Sequence, residues 1–229
     1  MTLGIINAMH KEHEQLVGLL QDVKESKVGR FSFVEGTFNH HHLVLMESGI
    51  GKVNAAVGAV ELIRNFQPDA LVNTGVAGGI DNCLNVMDVV AGQRVVYHDV
   101  DCGPESVSGQ VQGLPLYYEA DEVLFKAAMK VQTATRLHGG LICSGDQFIT
   151  DHKQLEYIKS RFTEGLAVDM ESGALAQVCY LYQVPFLSFR IISDTPGADE
   201  HFSQYNNFWS DMADKSFGVT RSLLEEICK

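Results

Sequence analysis

Short apolar runs rich in Val, Ile and Leu alternate along this chain with longer segments of helical period. That alternation restricts the fold to an α/β class whose central sheet is covered by helices on both faces. Strands are predicted at 3–8, 31–36, 43–47, 70–74, 88–97, 140–143, 167–169 and 186–192, and helices at 11–20, 53–65, 121–132, 153–162, 172–182 and 205–227. The second and third strands are close enough to form a hairpin, so the sheet is expected to be mixed, within a three-layer α/β/α sandwich. Between 99 and 119, Gly103, Pro104, Gly109, Gly113 and Pro115 break both periods. A loop of that length inside a domain is expected to serve function or an interface. The 229 residues are read as one domain, 1–229.

Charge narrows the function classes. With 17 Lys and Arg against 29 Asp and Glu, the net charge of −12 argues against nucleic-acid binding, which needs clustered cations against phosphate. The five cysteines, Cys83, Cys102, Cys143, Cys179 and Cys228, are odd in number and form no C-x-x-C pair, so they read as reduced thiols. No secretory leader pattern and no apolar run near the roughly 18–20 residues of a membrane span are found. A cytoplasmic protein without membrane contact is expected.

Three segments place acidic residues just beyond a predicted strand: Ala8-Met9-His10-Lys11-Glu12, Val168-Asp169-Met170-Glu171 and Ile192-Ser193-Asp194. Strand ends are where α/β sheets form ligand crevices. A single carboxylate there reads as a helix cap, and that reading is strong for Asp169 and Glu171, which precede a small-residue helix. Three carboxylates converging in one partly dry crevice would instead acquire unequal proton affinities, an acid beside a base.

Two glycine clusters follow strands, Ser48-Gly49-Ile50-Gly51-Lys52 and Thr74-Gly75-Val76-Ala77-Gly78-Gly79. The first lacks the leading glycine and the Ser/Thr of a phosphate-binding P-loop, and the second is no dinucleotide fingerprint. Both read equally as tight strand-to-helix turns or as close backbone approach to a sugar or base. His40-His41-His42 reads as an exposed hairpin turn, because adjacent strand residues face opposite ways, and His10 and His13 form no H-E-x-x-H. No metal and no cofactor are expected. The run Phe202, Tyr205, Phe208, Trp209, Met212 has helical spacing and reads as core, with an aromatic from its start able to cap a pocket. Ser144 lacks the G-x-S-x-G of a nucleophile elbow.

Taken in order, Gly4-Ile5-Ile6-Asn7-Ala8-Met9 with Glu12, Ser48 to Val53, Asn73 to Gly79, Tyr97-His98-Asp99, Ser144 to Ile149, Val168 to Glu171 and Arg190 to Asp194 resemble the 5′-methylthioadenosine/S-adenosylhomocysteine nucleosidases of the purine nucleoside phosphorylase superfamily. The resemblance runs over nearly the whole chain and implies a nucleoside phosphorylase-like fold. It also implies hydrolysis of the bond between purine N9 and ribose in 5′-substituted adenosines. By resemblance, Asp194 is the acid that protonates N7, Glu12 the base that deprotonates water, and Glu171 the residue that holds the ribose hydroxyls. Ser193 would orient Asp194, and Arg190 would order the water. Adenine is expected against Phe148 and Ile149, with Met170 beneath the ribose. Met9, Ile50 and Phe208 would enclose the sugar and its 5′ group, with Val76, Ala77, Gly78 and Asp169 also lining the substrate. The family completes this pocket with a loop from the second subunit of a homodimer, which implies that Cys102 and Pro115 of the 99–119 segment serve the partner. Val76 stands where the family often has serine, Asp169 where it usually has glutamate, and Cys102-Gly103-Pro104-Glu105-Ser106 does not reproduce the family's aromatic-containing loop.

Three alternatives stand beside this reading. A purine nucleoside phosphorylase would carry arginines before the glycine run, where this chain has Val72-Asn73-Thr74, and Glu12 would repel its phosphate. A futalosine-type nucleosidase would differ mainly in the 5′ group. A non-catalytic nucleoside-binding protein would be expected to lose one of Glu12, Glu171 or Asp194, and all three are present.

Overall fold

The computed structural model describes residues 1–195, 201–209 and 213–229. The apolar runs form strands because each can be buried on both sides. In chain order the elements are β1 (Thr2–Asn7), α1 (His10–Val17), β2 (Gln21–Val28), β3 (Phe31–Phe38), β4 (His41–Glu47), α2 (Lys52–Phe66), β5 (Ala70–Gly79), β6 (Val89–Tyr97) and β7 (Tyr118–Glu119). They continue with α3 (Glu122–Ala128), β8 (Leu137–Ser144), α4 (His152–Arg161), β9 (Gly165–Asp169), α5 (Ser172–Tyr182), β10 (Phe186–Asp194), α6 (His201–Asn207) and α7 (Ala213–Ile227).

The described strands make one mixed sheet in the order β10-β6-β8-β9-β5-β1-β4-β3-β2, with β7 beside β6. β1 lies parallel to β4 and β5, while β3 pairs antiparallel with β4 as the expected hairpin. β5 also pairs with β10, so β10, β6, β8, β9 and β5 close into a ring. Period-two alternation sends side chains to two helical layers. Ile6 and Val44 pack with Ala55, Ala59 and Leu62 of α2 and Leu175 of α5. Leu3, Ile5 and Leu45 pack instead with Leu16 of α1, Leu124 of α3, and Leu223 and Leu224 of α7. This is the expected α/β/α arrangement around a mixed sheet.

β2, β5 and β7 differ from the sequence reading, β7 because Tyr118 and Glu119 of the expected 99–119 loop pair with Val95 and Arg94 of β6. β2 was not predicted, because its residues Gln21-Asp22-Val23-Lys24-Glu25-Ser26-Lys27-Val28 are almost all exposed and carry no apolar alternation. It is an edge strand, and its lysines protect the open edge from pairing with another chain. β5 does not stop at Thr74: it runs through the second glycine cluster, which is strand and not turn, because Gly75 to Gly78 pair with β10 and Gly78 and Gly79 with β9. The predicted helix 205–227 is found as α6 and α7, and Met212 lies outside the described residues.

From 100 to 117 the chain has neither helix nor strand. Gly109 pins this segment to the end of β6: its N–H donates to the Val100 carbonyl at 2.9 Å, and its φ of +89° suits glycine. A Cβ there would stand 2.4 Å from the Tyr97 carbonyl oxygen. None of the described helices is long and apolar enough to cross a membrane.

Candidate active site

Gly78 organises the site, because in the ring it pairs with Val168 of β9 on one side and with Asp194 of β10 on the other. The residues after β1, β5, β9 and β10 thereby surround one cavity. Its lining includes Met9 and Glu12 from the β1–α1 segment, Ile50 before α2, and Val76, Ala77 and Gly78 of β5. It also includes Phe148 and Ile149 after β8, Asp169, Met170 and Glu171 at the end of β9, and Arg190, Ser193 and Asp194 of β10. The three carboxylates expected to converge do so.

Glu12 is the third residue of α1, and its carboxylate accepts the Met9 N–H at 3.3 Å. Burial pushes its proton affinity up, opposed by the nearby Arg190 guanidinium, and the balance lies at about 7. Both groups stand over Gly75, where a Cβ would fall 2.8 Å from Arg190 Nη1 and 3.0 Å from Glu12 Oε1. The absence of a side chain at Gly75 lets base and guanidinium share that space.

Arg190 is 1% exposed, and its charge is held by a buried polar network. Nη2 lies 2.7 Å from Asp169 Oδ2 and 3.8 Å from Glu171 Oε2. It also donates to Ser172 Oγ at 3.0 Å and to Asn73 Oδ1, while Nε donates to Ser188 Oγ at 3.2 Å. Removing one partner from a buried ion pair of this kind typically costs about 3–5 kcal/mol. Asp169, two residues before the Glu171 N-cap of α5, satisfies the first N–H of the helix, accepting the Ser172 N–H at 3.2 Å as well as the Ser172 hydroxyl. It lines the cavity, but its oxygens are engaged by Ser172 and Arg190. Glu171 makes no side-chain cap; it leaves the helix end and accepts the Gly51 N–H at 3.0 Å. Its proton affinity is raised by burial, against the pull of Arg190.

Asp194 is 2% exposed, and the Ser193 hydroxyl donates to its Oδ1 at 2.7 Å. Ser193 Oγ also lies 3.3 Å from the Ala77 carbonyl, which fixes it against β5. At the outer end Ile50 is 54% and Phe148 43% exposed, so this wall of the cavity faces outward. Phe208 is a correction: it does not line the cavity but is buried in the apolar cluster of α1, α3 and α7, its ring 5.4 Å from Trp209. Tyr205, one helical turn earlier, lines the cavity instead and packs edge-on against Phe148 at 5.4 Å. Helical spacing identified the aromatic face but not which of its members turns to the pocket.

Behind the segment that carries Phe148 and Ile149, Asp99 Oδ2 accepts from Lys52 Nζ at 2.8 Å and from the Asp146 N–H at 2.9 Å. Asp146 Oδ1 in turn accepts the Lys52 N–H at 2.7 Å. This cluster ties the root of the 100–117 segment to the start of α2. Cys102 is exposed and Pro115 half-buried, and neither lines this chain's own cavity. Ser144 is fully buried and lines no part of it, which removes it as a nucleophile. Of the three histidines read as an exposed hairpin turn, only His40 sits in the β3–β4 turn, with φ +65°; His41, half-buried, and His42 are the first residues of β4. Among the described residues no group of three or more His, Cys, Asp or Glu could hold a metal.

The sequence matches the Phosphorylase superfamily over residues 2–225. It is 39% identical to a 5′-methylthioadenosine/S-adenosylhomocysteine nucleosidase of Actinobacillus succinogenes, over 99% of this chain and 100% of that one. The fold superimposes on the same-named nucleosidase of S. pneumoniae, solved with a transition-state inhibitor, with TM-score 0.93 and 36% identity over 99% of this chain and 100% of that one. It superimposes equally on the Neisseria meningitidis nucleosidase in complex with methylthio-immucillin-A, with TM-score 0.92 and 36% identity over 98% of each chain.

Proposed function

This chain belongs to the phosphorylase superfamily and, within it, to the 5′-methylthioadenosine/S-adenosylhomocysteine nucleosidases, and on that footing we propose how its cavity works. The enzyme hydrolyses the N-glycosidic bond of 5′-substituted adenosines, releasing adenine and the 5′-substituted ribose. The observation that carries the residue assignment is the convergence of Glu12, Glu171 and Asp194 on one cavity beside Phe148 and Ile149. Asp194, oriented by Ser193, protonates N7 so that adenine leaves as a neutral base. Glu12 takes a proton from the attacking water, which Arg190 helps to order. Glu171, held by the Gly51 N–H, binds the ribose hydroxyls and favours the positive charge that develops on the sugar. Phe148 stacks on the base, with Ile149 beside it; Met170 lies under the sugar, and Met9, Ile50 and Tyr205 close around it.

Adenine release is expected to proceed at the same rate with and without inorganic phosphate. A sugar phosphate that appears only when phosphate is supplied would convert the assignment to phosphorolysis. Turnover of a futalosine-type nucleoside in preference to methylthioadenosine and S-adenosylhomocysteine would move the substrate class. Binding without turnover would leave only the nucleoside-binding reading.

The reading extends to assembly and location. Residues 1–229 act as one nucleoside phosphorylase-like domain, supported by a single sheet that draws strands from Thr2 to Asp194. The active form is a homodimer in which Cys102 and Pro115 of one subunit wall the 5′ pocket of the other. Val53 and Val57 support it: one turn apart on α2, they are 73% and 43% exposed, and Ile50, just before the helix on the open wall of the cavity, is 54% exposed. Sedimentation at assay concentration is expected to give a dimer, and a fully active monomer would rule the shared pocket out. Five free cysteines fit a reducing, cytoplasmic setting.

A further inference from the structure

The three carboxylates proposed for catalysis are joined by a fourth, Asp169, to which the mechanism gives no task. Among the described residues the charged and titratable groups around Glu12 are few. They are Arg190 and Asp194 from β10, Asp169 and Glu171 from the end of β9, and, from its own helix, His13, whose proton affinity burial lowers, and Lys11, whose Nζ stands over the Trp209 ring at 5.9 Å. The β5 residues there, Thr74, Gly75 and Val76, are uncharged, as are Trp209 and Thr220, which lie with Glu12 on the α7 side. Among the described residues Arg190 is therefore the cation whose charge acts on Glu12, and it also faces Asp169 and Glu171.

How that single charge is shared is visible in the distances. Among the described residues the ion pairs of Arg190 are with Asp169 at 2.7 Å and with Glu171 at 3.8 Å. Nη2 donates to Asn73 and Ser172 and Nε to Ser188, and all three acceptors gather around the Ser172 hydroxyl that binds Asp169, so these bonds hold the guanidinium on the Asp169 side. Nη1, the nitrogen on the Glu12 side, donates among the described residues to the Val76 carbonyl, at a long 3.5 Å. Ser172 reinforces the bias, since its hydroxyl also binds Asp169 and lies 2.7 Å from that of Ser188.

We propose that Asp169 is a positioning residue that draws the Arg190 charge to itself and withholds it from Glu12, thereby setting the pH at which the base becomes competent. An arginine fully committed to Glu12 would hold it ionised at lower pH, as a weaker base toward water. Held by Asp169, the guanidinium stays near enough to order the water while Glu12 keeps a proton affinity close to neutrality, where general bases work best. This rests on the reading of Glu12 as base.

The test is the pH dependence of kcat/KM for methylthioadenosine in the full chain. In Asp169→Asn the acidic limb is expected to move to lower pH by about one unit, the lower end of what a committed arginine does to a carboxylate. Asp169→Glu, which restores the charge, is expected to return the limb toward the wild-type position. Asp169→Ser repeats the neutral substitution with a smaller side chain. A lowered kcat with the limb unmoved in both neutral variants would reduce Asp169 to a structural role and overturn the proposal. The same profile for the residual activity of Glu12→Gln separates the two ideas. Persistence of the wild-type limb in that variant would refute the base assignment itself, whereas its loss there, with an unmoved limb in Asp169→Asn, would refute only the role of Asp169.

Discussion

Replacing Asp194 by Asn is expected to lower turnover by at least about 10²-fold, the usual loss when a general acid is removed. The amide fits the same space, and its oxygen can still accept the Ser193 hydroxyl that now lies 2.7 Å from Asp194 Oδ1. It has no proton to give to N7, so adenine would have to leave as an anion. The penalty should therefore appear in kcat and equally in kcat/KM, with substrate binding nearly intact. Single-turnover adenine release reads this directly. A variant of near-normal rate would show that N7 is protonated from elsewhere, and the acid would have to be sought again among the residues around the cavity.

Glu12→Gln carries the second large effect, an expected loss of about 10²- to 10⁴-fold in kcat/KM. In the wild type, activity should fall on the acidic side of about pH 7, because burial lifts the carboxylate from its ordinary 4.5 and only the ionised form can accept a proton from water. The same shift has a stability consequence of definite sign. The folded state keeps a proton on Glu12 between about 4.5 and about 7, where the unfolded chain has released it. This group's contribution to stability therefore falls as pH rises through that window, by on the order of 3 kcal/mol in total. Urea unfolding at pH 5 and pH 8 should show Glu12→Gln gaining on the wild type as pH rises. Parallel behaviour of the two proteins would mean that Glu12 is not held in a dry site.

Glu12, Glu171 and Asp194 were legible in the sequence because each follows a predicted strand, and strand ends gather ligands whatever the details of pairing. Their meeting point was not legible. It depends on Gly78 pairing with both β9 and β10, and the glycines that make such close pairing possible read locally as a turn. β2 was invisible for the opposite reason: an edge strand has no buried face to impress a period on its residues. Phe208 and Tyr205 lie on one aromatic face, and three residues of separation turn one into the core and the other to the cavity. Asp169 looked like a helix cap or a substrate contact. Its pairing with Arg190 joins residues 21 positions apart across the sheet, and no local pattern announces it.

The Lys52 and Asp99 pair divides the 100–117 segment into a root and a tip with different freedom to change. Gly51 gives its N–H to Glu171, and the next residue, Lys52, grips Asp99 where the segment begins. A mutation at the root is therefore felt at the ribose. Cys102 and its neighbours lie past that grip, exposed and without such a tie to the carboxylates. With the tip walling the partner's 5′ pocket as proposed, new 5′ groups would be accommodated by drift there while the root keeps Glu171 in place, so substrate range and catalytic power would evolve on separate schedules in the same loop.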